Sequence, residues 1–344
     1  MPRSYAPLAI SGNLRNQSNL CSKLSCPVNP IPLIHAHNRT FAAKKSTLMR
    51  ITSIAILLFY SSLLLSQNFL INKKFKLPKK ITEASGAYFA NADSLWWLND
   101  SGNAPELYRT DGEGALLETY AVPGSLNRDW EDLTAAPDGR IFIGDFGNNA
   151  NRRQDLCIYI LSKEGQVDSI RFAYPDQEAF PPPKAEWQFD MEGFFYYQDS
   201  LHLFSKDKSE QSFITKHYSL PAKPGTYTAQ LRGQLELPKR IVTAAAISED
   251  GQTVVLLAYR FKMFLGFFPL TPADLFLFRD FEGTDFLSGQ MQRKRGARCV
   301  MPTQYEAVDF TGPNTVYIAS ERTPLFHQKA KRRKLPLIEA DAQP

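Results

Sequence analysis

Three features of the sequence point to an all-β fold, a β-propeller of about five four-stranded blades. A motif of strand, tight turn and strand recurs five times between Ala84 and Glu321. A second motif, a strand running into proline, precedes each copy. Turn formers are plentiful, with 23 prolines and 19 glycines, as short strands joined by many turns require. A chain of 344 residues can spend most of its length on one closed β domain.

In chain order, residues 1–48 are rich in Asn, Ser and Pro without helical or strand periodicity. They read as disordered, or as an extension upstream of the true start. Residues 49–67 read as a signal peptide. Lys44, Lys45 and Arg50 supply the basic region, 51–65 is uncharged and mostly apolar, and Ser62 and Ser66 are small exit residues. The uncharged stretch continues to Asn72, long enough to span a bilayer uncleaved. A single-pass anchor is therefore the alternative, and it would be the chain's only membrane contact. Either outcome exports the remainder to the periplasm, the cell surface or the medium.

The propeller is expected over 73–328. Its inner hairpins are Ala84–Asp100, Trp130–Asp145, Met191–Asp207, Thr243–Tyr259 and Tyr305–Glu321. Each opens beside a polar or acidic anchor: Ser85, Glu131, Glu192, Thr243 or Glu306. Each turns on a pair such as Asp138-Gly139 or Asp250-Gly251, types that tolerate hairpin backbone angles. The second strand then ends in an acid (Asp100, Asp145, Asp207, Glu321), except at Tyr259.

The proline-ended outer strands stop at Pro78, Pro123, Pro175, Pro238 and Pro302, because proline lacks the N–H that would continue a ladder. The first of them, Phe75–Pro78, precedes any blade it could finish, so it should close the ring by completing the last one. A sixth blade, hidden in an interval such as 260–298, is the alternative. Asp176–Trp187 and Phe261–Pro269 are candidate insertions, the second read first as an outer strand and second as an exposed loop. Cys157 and Cys299 read as buried free thiols.

The formal charge of +5 is misleading, since residues 1–66 contain basic residues and no acid. Residues 329–344, opening on KAKRRK, are expected to be a flexible basic tail. Without both ends the propeller region comes to −5, which argues against a nucleic-acid partner.

The strings NDSGN (99–103), DWEDL (129–133), IGDFGNN (143–149) with Arg152 or Arg153 beyond, YEAV (305–308) and ASE (319–321) resemble the SdiA-regulated bacterial propellers and their esterase-like or phytase-like relatives. The resemblance covers about 75–325. It implies an exported propeller, sometimes holding calcium, with no single defined reaction. Where similar proteins read GDIGDN, this chain has Phe146 and Asn148 in the third and fifth places, which weakens a metal claim at that loop.

Inner-strand starts converge on the channel of a propeller, so Glu131, Glu192 and Glu306 should share one mouth. Clustered carboxylates suit a hard cation, Ca²⁺ first; Glu131, Asp132, Glu192 and Glu306 are the candidate metal ligands. The bland account is that they cap backbone N–H groups. Glu131, Glu192 and Glu306 are also the candidate acid and base of a hydrolase. Asp100, Asp145, Asn148, Asn149, Arg152 and Arg153 are candidate ligand contacts around a polar loop. His202 and His217 read as isolated surface or packing residues. The leading expectation is a monomeric exported propeller that binds a small molecule or protein at its acidic mouth. The alternative is a metal-assisted hydrolase of a phosphoester, ester or lactone.

Overall fold

The computed structural model describes residues 74–91, 93–209, 211–264, 268–297, 303–323 and 326–336. The expectations for 1–48 and 49–67, and for Cys299, fall outside this set. Among the described residues no helix is long and apolar enough to cross a membrane.

Five antiparallel sheets form the propeller. Blade 1 is β2 (Ala84–Asn91), β3 (Ser94–Asn99), β4 (Glu106–Thr110) and β5 (Leu116–Ala121). Blade 2 is β6 (Trp130–Ala135), β7 (Ile141–Asp145), β8 (Cys157–Leu161) and β9 (Val167–Ala173). Blade 3 is β10 (Asp190–Tyr197), β11 (Ser200–Lys206), β12 (Ile214–Pro221) and β14 (Gln230–Glu236). Between its last two strands, β13 (Gly225–Thr228) crosses over to pair in parallel with β9, strapping blade 3 to blade 2.

Blade 4 is β15 (Ile241–Ile247), β16 (Val254–Tyr259), β19 (Ala273–Arg279) and β20 (Gln290–Ala297). Blade 5 is β21 (Tyr305–Gly312), β22 (Thr315–Ser320), β23 (Lys329–Lys334) and β1 (Lys74–Lys76). The N-terminal strand thus closes the last blade, with Phe75 opposite Ala330. The inner strands neighbour one another in the cycle β21, β2, β6, β10, β15 and back to β21. The sixth blade is excluded: the interval 260–298 holds blade 4's own outer strands and a separate hairpin, β17 (Lys262–Phe264) with β18 (Phe268–Leu270). That hairpin corrects the outer-strand reading of Phe261–Pro269, since the outer strand of blade 4 is β20.

Five hydrophobic clusters fill the five gaps between blades. Leu98 meets Ile143, Phe142 meets Phe194, Phe204 meets Leu256, Leu257 meets Ile318, and Ala319 meets Trp97. Because the inner strands of each blade are covered on both faces, apolar–polar alternation disappears there, and all six residues of β16 are buried, whereas the outer strand β9 keeps it. Near the axis the inner strands approach so closely that a Cβ on Gly193 would lie 2.5 Å from the Ala245 nitrogen.

The expected basic tail at 329–344 is corrected in its first part, because KAKRRK is β23. Ala330 is fully buried between β22 and β1, and the backbone pairs on both sides. One small apolar residue among five cations gives too weak an alternation to read as a strand. With this segment folded in, the −5 for the propeller region no longer describes the domain: residues 67–336 hold 33 basic and 33 acidic side chains. The expectation of no nucleic-acid partner loses that support.

Candidate functional site

The repeat anchors owe their common position to a β-bulge. In all five blades the inner strand skips one residue against its partner, and the skipped residues are Ser85, Glu131, Glu192, Thr243 and Glu306. A bulge frees the extra residue from the ladder and re-aims its side chain. All five are buried. Ser85 Oγ donates to Glu131 Oε2 at 3.2 Å, and Thr243 Oγ1 donates to the Tyr305 carbonyl at 2.9 Å. Gln304 Nε2 donates to both Glu306 Oε1 (3.2 Å) and Glu321 Oε2 (3.1 Å).

The same register corrects the ends of the second strands. Asn99, Asp145, Ser205, Ala258 and Ser320 are the equivalent residues opposite the bulges. The next position around the rim is therefore Asp100, Phe146, Lys206, Tyr259 and Glu321. Asp145 and Asp207 do not belong to that ring. Asp145 Oδ1 accepts the Asp129 N–H at 2.9 Å and lies 3.4 Å from Arg153. Asp207 accepts from the Ile214 N–H at 2.8 Å and from Ser209 and Ser212, closing its own loop.

Lys206 is the residue that reading the repeat missed. Its Nζ lies 2.8 Å from Glu192 Oε1, and both side chains are buried. Burial disfavours its charge, but Glu192, Tyr259, Glu306 and Asp190 outweigh that and hold the amine protonated well above its ordinary range. The acids are shifted upward too, which favours their neutral forms. Burial, then Glu192, Asp100 and Asp190, push the Glu131 carboxyl well up. Burial also raises Glu192, although Lys206 pulls against it. Glu321 is pushed up to about 11 by burial and by Glu306. Asp100, at the partly open rim, is raised to about 7 by burial, then by Asp129 and Glu306, with the Ser101 N–H opposing.

Within this acidic mouth, one carboxylate oxygen from each of Glu131, Asp190 and Glu192 falls inside a 4.8 Å set, as does one from each of Asp100, Asp129 and Glu131. Asp190 Oδ1 accepts the Asn148 N–H at 2.6 Å. Its Oδ2 is buried without a hydrogen-bond partner, the Lys208 ammonium standing off at 3.8 Å. The blade 2 loop passes against the same carboxyls: a Cβ on Gly147 would lie 2.2 Å from Glu131 Oε1.

Of the expected metal ligands, Glu131 and Glu192 belong to the first set, and Glu306 stands close enough to act on the Glu192 charge without joining it. Asp132 does not join. Its carboxylate accepts the Phe194 N–H at 3.1 Å and the Leu133 N–H at 2.8 Å, the backbone-capping role. Asp309 does the same for the Phe89 N–H at 2.6 Å, and Thr134 for Tyr196 at 3.2 Å. These bonds knit neighbouring inner strands together.

The loop 145–153 is largely self-satisfied. Asn148 Oδ1 caps the Arg152 and Arg153 N–H groups (2.8 and 2.9 Å). Arg153 is spent on Asp145, Asp155 and the Gly147 carbonyl. Asn149 accepts from Lys208 Nζ at 2.7 Å, and Arg152 is exposed. His202 and His217 are packed, as expected, but not isolated. His202 Nδ1 lies 3.0 Å from His217 Nε2, and burial lowers both pKa values, His202 to about 4. Cys157 is buried and free. The opposite end of the channel opens on a cavity of about 770 Å³, whose walls include Tyr88, Tyr196, Tyr197 and Phe310.

No family model matches the chain. No curated protein matches it either. Among solved structures it is similar to a gluconolactonase from Xanthomonas campestris at 12% identity over 77% of this chain and 90% of that one, TM-score 0.41. An α-L-arabinanase from Penicillium chrysogenum is 10% identical over 77% and 98%, TM-score 0.45. A β-1,3-galactosidase is 11% identical over 76% and 93%, TM-score 0.46. Likenesses of this size carry no activity across.

Proposed function

We propose that the propeller holds a hard divalent cation, Ca²⁺ first, at Glu131, Asp190 and Glu192, and presents it to an oxygen-bearing ligand at the acidic mouth. The observation that carries this is the buried Asp190 Oδ2, left without a hydrogen bond beside two glutamates of raised pKa. A carboxylate oxygen is costly to bury unpaired, and a cation taking six to eight oxygens would satisfy all three acids together. Asp100 and Asp129 extend the donor set toward solvent, where a ligand would enter. Lys206 supplies a fixed positive charge on the far side of Glu192. The motif resemblance to SdiA-regulated and esterase-like propellers supports the same reading, and the apolar segment 51–65 supports export.

The test is thermal unfolding after EDTA treatment, then with added Ca²⁺. At a hundredfold excess over Kd, stabilisation should reach about 2.7 kcal/mol, and Asp190→Asn should lose the response. An unchanged melting temperature in the wild type would sink the metal.

A metal-assisted hydrolase is the second reading, favoured by Asp100. A rim carboxyl titrating near 7 beside Asp129 can give or take a proton at neutral pH. A panel of phosphoester, ester and lactone substrates on the wild type and on Asp100→Asn and Glu131→Gln separates this from ligand binding alone.

A further inference from the structure

The gap between β20 of blade 4 and β23 of blade 5 is a second charged feature, lined by none of the mouth carboxyls. β20 reads QMQRKRGA and β23 reads KAKRRK, eight cations with no acid between them. Strand alternation puts Arg293 with Arg295, and Lys331 with Arg333, on common faces. These four, with Gly296 and Asp274, line a cleft of about 770 Å³.

The fold meets this charge only in part. Asp274 is the only acid lining the cleft, and it already pairs with Arg240 at 2.6 Å and Arg293 at 2.8 Å. Arg295 makes no ion pair among the described residues. Across the edge pair, Lys74 stands opposite Lys331 and Lys76 opposite Lys329, and like charges so placed cost stability. Burial lowers the pKa of Arg333, and burial with Arg333 and Lys334 lowers that of Lys294. Arg333 is also fixed in place, its Nε donating to the Gly296 carbonyl at 2.6 Å.

We propose that this cleft binds an anion carrying two or more phosphate or sulfate groups. Arginine forks grip such oxyanions bidentately. Cations approaching from two walls suit a ligand with more than one charged group. A uniformly basic pair of strands in a domain that is neutral overall is maintained at a cost that such a ligand would offset.

The test is calorimetric titration of the full chain with inorganic tripolyphosphate at low and physiological salt. Binding should weaken with salt, and Arg295→Gln should weaken it about tenfold, the size of one lost charge-assisted contact. Arg295 is exposed, so an unchanged melting temperature will show that the variant is folded, and Lys223→Gln, an exposed cation outside the cleft, should bind as the wild type does. A parallel arm uses phosphatidylglycerol and phosphatidylcholine vesicles. Arg295-dependent binding confined to phosphatidylglycerol would identify lipid headgroups as the source, while tripolyphosphate binding would identify a soluble one. The proposal is overturned if neither probe binds, or if both bind Arg295→Gln as tightly as the wild type.

Discussion

Raising the pH should weaken the metal-free propeller through Asp100, and Ca²⁺ should remove that contribution. In the folded chain Asp100 titrates near 7 against an ordinary value of 3.8. Between those values the folded state keeps a proton that the unfolded chain has already released. Stability is therefore greatest below the unfolded pKa and is lost as pH rises through the folded one. Three units at about 1.4 kcal/mol each give on the order of 4 kcal/mol, and solvent screening at the partly open rim reduces this to about 2 kcal/mol. Burial raises the Glu131 and Glu192 carboxyls as well, so they add to the fall in the same sense. A bound cation takes the place of those protons and removes that fall. Urea unfolding at pH 5, 6, 7 and 8, in EDTA and in Ca²⁺, measures it, with Asp100→Asn removing the part below 7. The comparison with Asp100→Asn cancels the opposite contribution of His202 and His217, whose lowered pKa values make stability rise with pH; the same slope in Asp100→Asn as in the wild type would refute the reasoning.

Lys206→Met strands the buried Glu192 carboxylate and should cost about 3–5 kcal/mol at pH 8 in EDTA. Much of that loss should return at pH 5 or with Ca²⁺, and a loss indifferent to both would count against the role given to Lys206. Asp132→Ala leaves the Phe194 N–H unpaired and should cost about 1–3 kcal/mol while leaving the Ca²⁺-induced melting shift intact. Truncation after Gln328 removes β23, the sheet neighbour of β1 among the described residues. Blade 5 then cannot close, and a chain that kept its cooperative melt would contradict the ring closure.

The fold was legible because its repeat is carried by local chemistry. Hairpin turns such as Asp138-Gly139 and the corners at Pro123, Pro175 and Pro238 depend on backbone angles and donor loss, which residue type determines directly. Elements set by pairing partners were not legible in this way. β23 is a strand because β22 and β1 flank it, and nothing inside KAKRRK says so. The hairpin β17–β18 likewise could not be told from an outer strand by an apolar run alone.

The site was half legible, and the bulge explains which half. Ser85, Glu131, Glu192, Thr243 and Glu306 align in the sequence because each stands seven or eight residues before its own turn. The strand after the turn is counted from the other side, and its hairpins differ in length: β2 and β3 meet across residues 92 and 93, β6 and β7 across 136–140. Matching those strands by their terminal acids therefore slipped by one residue in blades 2 and 3, selecting Asp145 and Asp207 in place of Phe146 and Lys206. The slip matters chemically, because it hid the cation in the mouth. The pairing register instead sets a buried lysine against Glu192, so the charge of the mouth is already partly met on one side. The unmet part lies toward Glu131 and Asp190, and a cation there would complete a site that Lys206 leaves asymmetric.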